Sequence, residues 1–399
     1  MTPLTPAQKA ARLLELHHAS QPLVLINAWD AASAAMVEHC GLPAIATSSA
    51  AMANALGFPD GQYLPWADML DAVARVCRAV KVPVTADIES GFASNVTALE
   101  TSIQQIIDAG AVGVNLEDVM SANPALEDDG LQSDDLQNAD AKSTGSKKPV
   151  SENRGSENAD LQNAVPENRG PANTAPQNAD HKTAAAKNAA FVRHGSPLFP
   201  LPVQIARIQA ARRAAHAAGI HLVINARTDA YWQAGVEPAE AMRNTLERGK
   251  AYLTAGADCI FIPGLRHPDH IKTVIDHLSA AYLPADLSTS DPRNKDLRTN
   301  DLRLNDGTTN DLRSVHQDAV HQDAVHRVAP VNILAGPGVP SIPELAKLGV
   351  KRVSYGSGPH RAAMGLLRRM AEEARTSGTF KALTEGAVPY EEINGLFQR

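Results

Sequence analysis

Two carboxylates sit at the end of an apolar run, Val82-Pro83-Val84-Thr85-Ala86-Asp87-Ile88-Glu89-Ser90-Gly91-Phe92. On a strand, Asp87 and Glu89 point to the same side of a sheet, and like charges held that close need a cation or a proton between them. A second pair, Glu117 and Asp118, closes the run Gly113-Val114-Asn115-Leu116-Glu117-Asp118. Carboxylates from neighbouring strands, without Cys or His among them, suit a hard oxygen-liking ion, Mg²⁺ or Mn²⁺, rather than zinc. The alternatives are structural: an ion pair with a lysine or arginine for Asp87 and Glu89, and a helix cap for Glu117 and Asp118. Arg227, in Ala226-Arg227-Thr228-Asp229, offers a planar fork suited to a substrate carboxylate, or a salt bridge to Asp229.

The elements that must position these groups alternate. Apolar runs predict strands over 23–28, 44–49, 82–88, 113–118, 221–225, 259–262, 331–334 and 352–356, with helical segments between them. Runs this continuously apolar belong to parallel strands covered on both faces. In a (β/α)8 barrel the strand C-termini converge on one mouth. The candidates there are Asn27, Trp29 and Asp30; Thr47, Ser48 and Ser49; Asp87 and Glu89; Glu117 and Asp118; Asn225, Arg227 and Asp229; Pro263 and Gly264; Asn332; and Ser354 and Tyr355. An open doubly wound sheet is the competing architecture, but Asn27-Ala28-Trp29-Asp30 is not the glycine fingerprint expected after its first strand.

Two stretches break the alternation. Residues 121–200 are rich in Asn, Asp, Ser, Gly, Pro and Lys, and Glu-Asn-Arg-Gly recurs at 152–155 and 167–170. Residues 284–327 repeat Asn-Asp-Leu-Arg and Val-His-Gln-Asp-Ala. Such sequence buries too little apolar surface to offset its ordering entropy, so both are expected to be disordered inserts. The barrel is then assembled from 1–120 (strands 1–4), 201–283 (strands 5–6) and 328–399 (strands 7–8 and the C-terminal helices). Setting the inserts aside leaves about 280 of the 399 residues, near the ~250 of one barrel. A net charge of −7 without a basic stripe argues against nucleic acid. The absence of a leader-like N-terminus, of a membrane-length apolar run and of a cysteine framework fits the cytoplasm.

Taken together these residues resemble the phosphoenolpyruvate mutase/isocitrate lyase superfamily. The likeness is carried by Asn27–Ala31, Thr47–Ser49 with Gly57-Phe58-Pro59-Asp60-Gly61, Ala86–Phe92, Asn115–Asp118, Ala226–Asp229, Gly256–Asp258 and Leu345–Gly356. It implies a (β/α)8 barrel that exchanges its last helix in a homodimer or homotetramer. It also implies Mg²⁺-dependent making or breaking of C–C or P–C bonds next to a small 2-oxo acid. Carried over residue by residue, Asp87 is the expected direct metal ligand, with Asp60, Glu89 and Glu117 holding metal-bound waters. Arg227 and Thr47, Ser48 and Ser49 are expected at the substrate carboxylate, with Trp29 and Asn332 as further substrate contacts. Glu117, Arg227 and Asn123 are the candidate catalytic residues. The isocitrate and methylisocitrate lyases of the family carry a Lys-(Lys/Arg)-Cys-Gly-His lid. This chain has Val119-Met120-Ser121-Ala122-Asn123-Pro124 there, which disfavours both activities. An oxaloacetate or phosphonopyruvate type of substrate is expected instead; those lyase activities, or a catalytically silent metabolite-binding barrel, are the alternatives.

Overall fold

A computed structural model describes residues 4–121, 123, 196–280, 282 and 328–398. Most of the two low-complexity stretches, and their expected disorder, lie outside the described residues. The barrel segments belong to one compact unit, Met1–Asp129 with Gly195–Arg399, and the other unit, Gly130–His194, is outside the described residues.

The chain opens with α1 (Pro6–His17), which Thr5 starts through a reciprocal cap with Gln8 and Pro6 at the first turn. Strands β1 (Leu23–Leu25) and β2 (Asn27–Ala28) are two pieces of one barrel strand, divided at Ile26. Then follow α2 (Ala31–His39), β3 (Ile45–Thr47), α3 (Ser49–Ala55), α4 (Trp66–Ala79), β4 (Val84–Asp87), α5 (Val96–Asp108) and β5 (Gly113–Glu117). After the first insert come α6 (Leu201–Ala217), β6 (Val223–Arg227), α7 (Pro238–Thr254), β7 (Cys259–Phe261) and α8 (Pro268–Ser279). The last part is β8 (Val331–Leu334), α9 (Ile342–Leu348), β9 (Arg352–Ser354), α10 (Gly358–Thr376), α11 (Lys381–Thr384) and α12 (Tyr390–Gly395).

All strand pairings are parallel, in the order β1-β9-β8-β7-β6-β5-β4-β3-β2. Because β1 and β2 are one strand, the two ends of that order meet and the sheet closes. The expected (β/α)8 barrel is therefore the observed fold. The strand bounds differ in places: the strand predicted over 44–49 stops at Thr47, where Ser48 caps α3 through its side chain and Ser49 begins the helix, that over 82–88 is confined to Val84–Asp87, that over 221–225 runs from Val223 to Arg227, and that over 352–356 stops at Ser354.

Strand alternation sorts the residues into two cores. Val114, Leu116, Ile224 and Ala226 face outward and pack with Val73, Leu99, Ile103, Ile106 and Ile208 of the surrounding helices. Each such fully buried branched side chain contributes roughly 1.5–3 kcal/mol. Inside, Ala10 and Leu13 of α1 pack with Leu23, Leu25, Ala46 and Val223. Gly113 leaves room for this helix, since a Cβ there would lie 2.8 Å from Leu13 Cδ2. The other inward positions, Thr85, Asn115, Asn225, Asn332 and Arg352, are polar and buried.

Where the first insert leaves and returns, Val119 and Leu198 form an antiparallel bridge. Met120 N–H donates to Pro197 O at 3.0 Å and Phe199 N–H to Asp118 O at 2.8 Å. The two ends of the insert are thereby pinned beside the end of β5.

Candidate active site

The strand C-termini bring the predicted groups to one rim. Asp87, Asn115 and Asn225 are register partners on β4, β5 and β6, and Glu117 pairs with Arg227 one step further along. Asp87 Oδ2 accepts from Ser49 N–H at 3.0 Å and from Ser49 Oγ–H at 2.8 Å, while Oδ1 accepts from Asn115 Nδ2 at 2.9 Å. Thr47 Oγ1 accepts from the Asp87 N–H at 2.9 Å. The three hydroxyls expected at a substrate carboxylate thus hold Asp87 (Thr47 and Ser49) and start α3 (Ser48).

Glu89 is held from the loop after α3. Its Oε1 accepts from Gln62 N–H at 3.1 Å; the Gln62 side chain donates to Ser90 Oγ at 2.7 Å and accepts from Phe92 N–H at 2.8 Å. Gln62, Glu89 and Phe92 all have positive φ, at 63°, 51° and 51°. These non-glycine residues in a left-handed conformation are locked by one another, a strain that concentrates at functional sites. Asn123 joins this clamp by donating from Nδ2 to Gln62 O at 2.8 Å. Asp60 is exposed two residues before Gln62. Gly91 has a φ of 92°, and a Cβ there would collide with Leu99, so the loop after β4 can turn only at glycine.

Glu117 is buried and pairs through Oε2 with Arg227 Nη1 at 2.8 Å. The same guanidinium donates from Nε and Nη2 to the two oxygens of Asp229, at 2.6 and 2.7 Å. Burial works against the charge of Arg227, but Asp229 and Glu117 outweigh it and hold its pKa above the ordinary arginine value. The salt-bridge alternative for Arg227 is what the structure displays, and Glu117 serves as its partner rather than as a helix cap. Trp29 packs edge-on against His360 at 5.3 Å. Asn332 is buried in the barrel wall and donates to Ser354 Oγ at 3.1 Å.

The four acids expected round one ion do not form a ready cage: no three His, Cys, Asp or Glu side chains among the described residues are so placed. Asp87, Glu89 and Glu117 occupy the same rim, and each is turned to a protein donor. The donor set nevertheless fits a hard divalent cation. Asp87, Glu89, Glu117 and Asp229 bring four negative charges, while Arg227 and the buried Arg352, whose charge Asp87 feels, bring two positive ones. The carboxylates outnumber these cations even with Asp60 left out, and every candidate ligand atom is an oxygen.

Asp118 braces the site from within the protein. It is fully buried and accepts from Tyr252 OH at 2.7 Å, Arg248 Nη1 at 3.2 Å and Asp229 N–H at 3.0 Å. Burial pushes its pKa up, against the pull of Arg248. Asp118 therefore fixes the loop that carries Asp229, and through it the Arg227 fork. The signal was present in the sequence: Asn244, Arg248 and Tyr252 recur every four residues on α7, a polar stripe on a helix face. Asn115 and Asn225 were also legible, each two residues before a charged strand end.

Comparison with known proteins identifies the family. The family model described as phosphoenolpyruvate phosphomutase matches residues 13–151, 180–303 and 311–375. An uncharacterised protein of Mycobacterium tuberculosis is 24% identical over 379 residues, 95% of this chain and 93% of the relative. The crystal structure of a candidate lyase/mutase from Burkholderia cenocepacia is 26% identical with a TM-score of 0.63, covering 99% of this chain and 98% of that one. A phosphonopyruvate hydrolase in complex with oxalate and Mg²⁺ shares the fold, at 18% identity and a TM-score of 0.59 over 98% of this chain and 94% of that one. On a closed barrel of parallel strands, a family match over most of the length places the chain in the phosphoenolpyruvate phosphomutase family.

Proposed function

We propose that this protein is a Mg²⁺- or Mn²⁺-dependent enzyme that makes or breaks a C–C or P–C bond next to the carbonyl of a small 2-oxo acid, of the oxaloacetate or phosphonopyruvate kind. The observation that carries the reading is the excess of carboxylates over guanidinium groups among oxygen ligands at the strand C-termini. Asp87 would hold the ion directly, with Glu89, Glu117 and Asp60 around it. Bound there, the ion would act as a Lewis acid on the negative charge that bond cleavage leaves on the 2-oxo acid.

The chain's own residues do the rest. Arg227, kept charged by its neighbours, exchanges one of its carboxylate partners for the substrate carboxylate, so its fork is already aligned when substrate arrives. Asp118 keeps that fork in place through the Asp229 N–H. Thr47 and Ser49 steady Asp87, and Trp29 and Asn332 line the substrate side. Asn123, beside Gln62 at the edge of the insert, supplies an amide hydrogen bond to the leaving or migrating group.

Met364, Leu367, Phe380, Leu383, Val388 and Tyr390 are exposed along α10 and the segments after it. A homodimer or homotetramer that exchanges C-terminal helices would cover them, and it is part of this proposal. A cytoplasmic location is proposed with it; among the described residues no helix is long and apolar enough to cross a membrane.

A second reading, a barrel that binds a metabolite without turnover, is favoured by one observation: the Arg227 fork is filled by Asp229 and Glu117. Proton exchange at C3 of pyruvate, followed by NMR with Mg²⁺ and again with EDTA, separates the two. The enzyme reading predicts exchange that EDTA stops and that Asp87→Ala abolishes; no exchange with Mg²⁺ present would support the silent barrel.

A further inference from the structure

The carboxylate of Asp87 is braced in a way that leaves it one direction in which to bind an ion. A carboxylate oxygen has two in-plane lone pairs. Both on Oδ2 are taken by Ser49, one by its N–H and one by its hydroxyl, and one on Oδ1 is taken by Asn115 Nδ2. One lone pair, on Oδ1, remains.

The brace continues into the barrel. Because the carboxylate accepts only, Asn115 must present its NH₂ to Asp87, and its own Oδ1 must face the other way. There it accepts from Asn225 Nδ2 at 2.9 Å. The three residues lie at one register position on consecutive strands. Asn225 and Asn115 are buried at 0% and 7% exposure, so neither amide can turn over without losing its partner. Asn225 Oδ1 ends the chain, buried and with no hydrogen-bond partner.

From this we infer that the Asn115–Asn225 amide chain is a specificity device: it makes Asp87 a one-oxygen ligand and so selects small octahedral ions over Ca²⁺. Mg²⁺ is bound through single carboxylate oxygens with ordered waters, whereas Ca²⁺ takes more oxygens and readily uses both from one carboxylate. Asn115 touches the ligand, and Asn225 acts through Asn115 as a positioning residue. The inference rests on the proposed metal role of Asp87 and adds to it the partners that determine which ion is taken.

The test is a binding titration without substrate. Mn²⁺ is followed by electron paramagnetic resonance and Ca²⁺ by calorimetry, for the wild type, Asn115→Leu, Asn225→Leu and Thr85→Val. Thr85 is buried in β4 with a hydroxyl that hydrogen-bonds neither Asp87 nor any other group, and so reports a general disturbance of the interior. Asn225→Leu should weaken Mn²⁺ about ten- to a hundred-fold, as loss of a ligand's supporting partner does. Ca²⁺ binding should change less, so that the preference narrows, and Thr85→Val should match the wild type. If Asn225→Leu does not fold, Asn225→Ser removes the amide without adding an apolar side chain and is expected to behave the same way. Unchanged Mn²⁺ affinity and preference in the Asn225 variant overturn the inference alone, as does an equal loss in Thr85→Val. A wild type that binds no Mn²⁺ overturns the metal reading and this inference with it.

Discussion

His17 gives a prediction whose size follows from its surroundings. Its ring is fully buried at the closed end of the barrel, with Nδ1 2.7 Å from Leu13 O and Nε2 3.2 Å from Arg352 Nη1. Arg352 can only donate, so Nε2 accepts and Nδ1 carries the proton that Leu13 O receives. A second proton would set an imidazolium against a buried guanidinium. Burial first, and Arg352 second, accordingly lower the His17 pKa to about 3, and burial brings Arg352 itself down to about 10. In the unfolded chain the imidazole takes its proton near 6.5. Unfolding between pH 6.5 and 3 therefore takes up a proton. The stability that neutral His17 contributes is complete above pH 6.5 and is lost as the pH falls toward the folded value. At about 1.4 kcal/mol per pH unit, the loss between pH 6.5 and 4 is roughly 3 kcal/mol. His17→Gln keeps an uncharged acceptor for Arg352 but does not titrate. Urea unfolding of both proteins from pH 7 to 4 should show the wild type losing roughly 3 kcal/mol more than the variant over that range. Parallel stability curves would refute the assignment of a neutral imidazole beneath Arg352.

Two other outcomes test the frame around the site. Asp118→Asn leaves Arg248 without its buried counter-charge and should cost about 3–5 kcal/mol in urea unfolding; adding Arg248→Met should restore much of the loss, and a double variant weaker than the single one would contradict the pairing. Replacing residues 124–195 by a short Gly/Ser linker should preserve the far-ultraviolet circular dichroism of the barrel and its cooperative melt, because Val119 and Leu198 already join the two ends; a chain that no longer folds would show that the insert is required.

The barrel was legible because its outward strand positions, such as Val114, Leu116, Ile224 and Ala226, are apolar at every turn of the alternation, and the strand ends named the rim. Helix α3 was less so. Ser49-Ala50-Ala51-Met52-Ala53 is small and nearly all buried, so it lacks the one-sided apolar period by which a surface helix is recognised. The partners of each rim acid were hidden for another reason: they come from distant chain segments. Gln62 reaches Glu89 from the loop after α3, and Tyr252 reaches Asp118 from α7 across 134 residues of sequence. Spacing predicts both carboxylates on one strand, but β4 ends at Asp87 and Glu89 lies beyond it in a left-handed turn, so strand alternation does not align the two and spacing does not show which donor each will face. Asp87 and Glu89 thus read as a pair, yet Asp87 is held by Ser49 and Asn115, and Glu89 by Gln62.

The most direct measurement is an anomalous difference map from crystals soaked in Mn²⁺. A single peak at the rim, bonded to one oxygen of Asp87 and within water-bridging reach of Glu89 and Glu117, is the predicted result. A map with no peak at Asp87, or with the ion held elsewhere on the molecule, would contradict the metal-dependent chemistry proposed for this barrel.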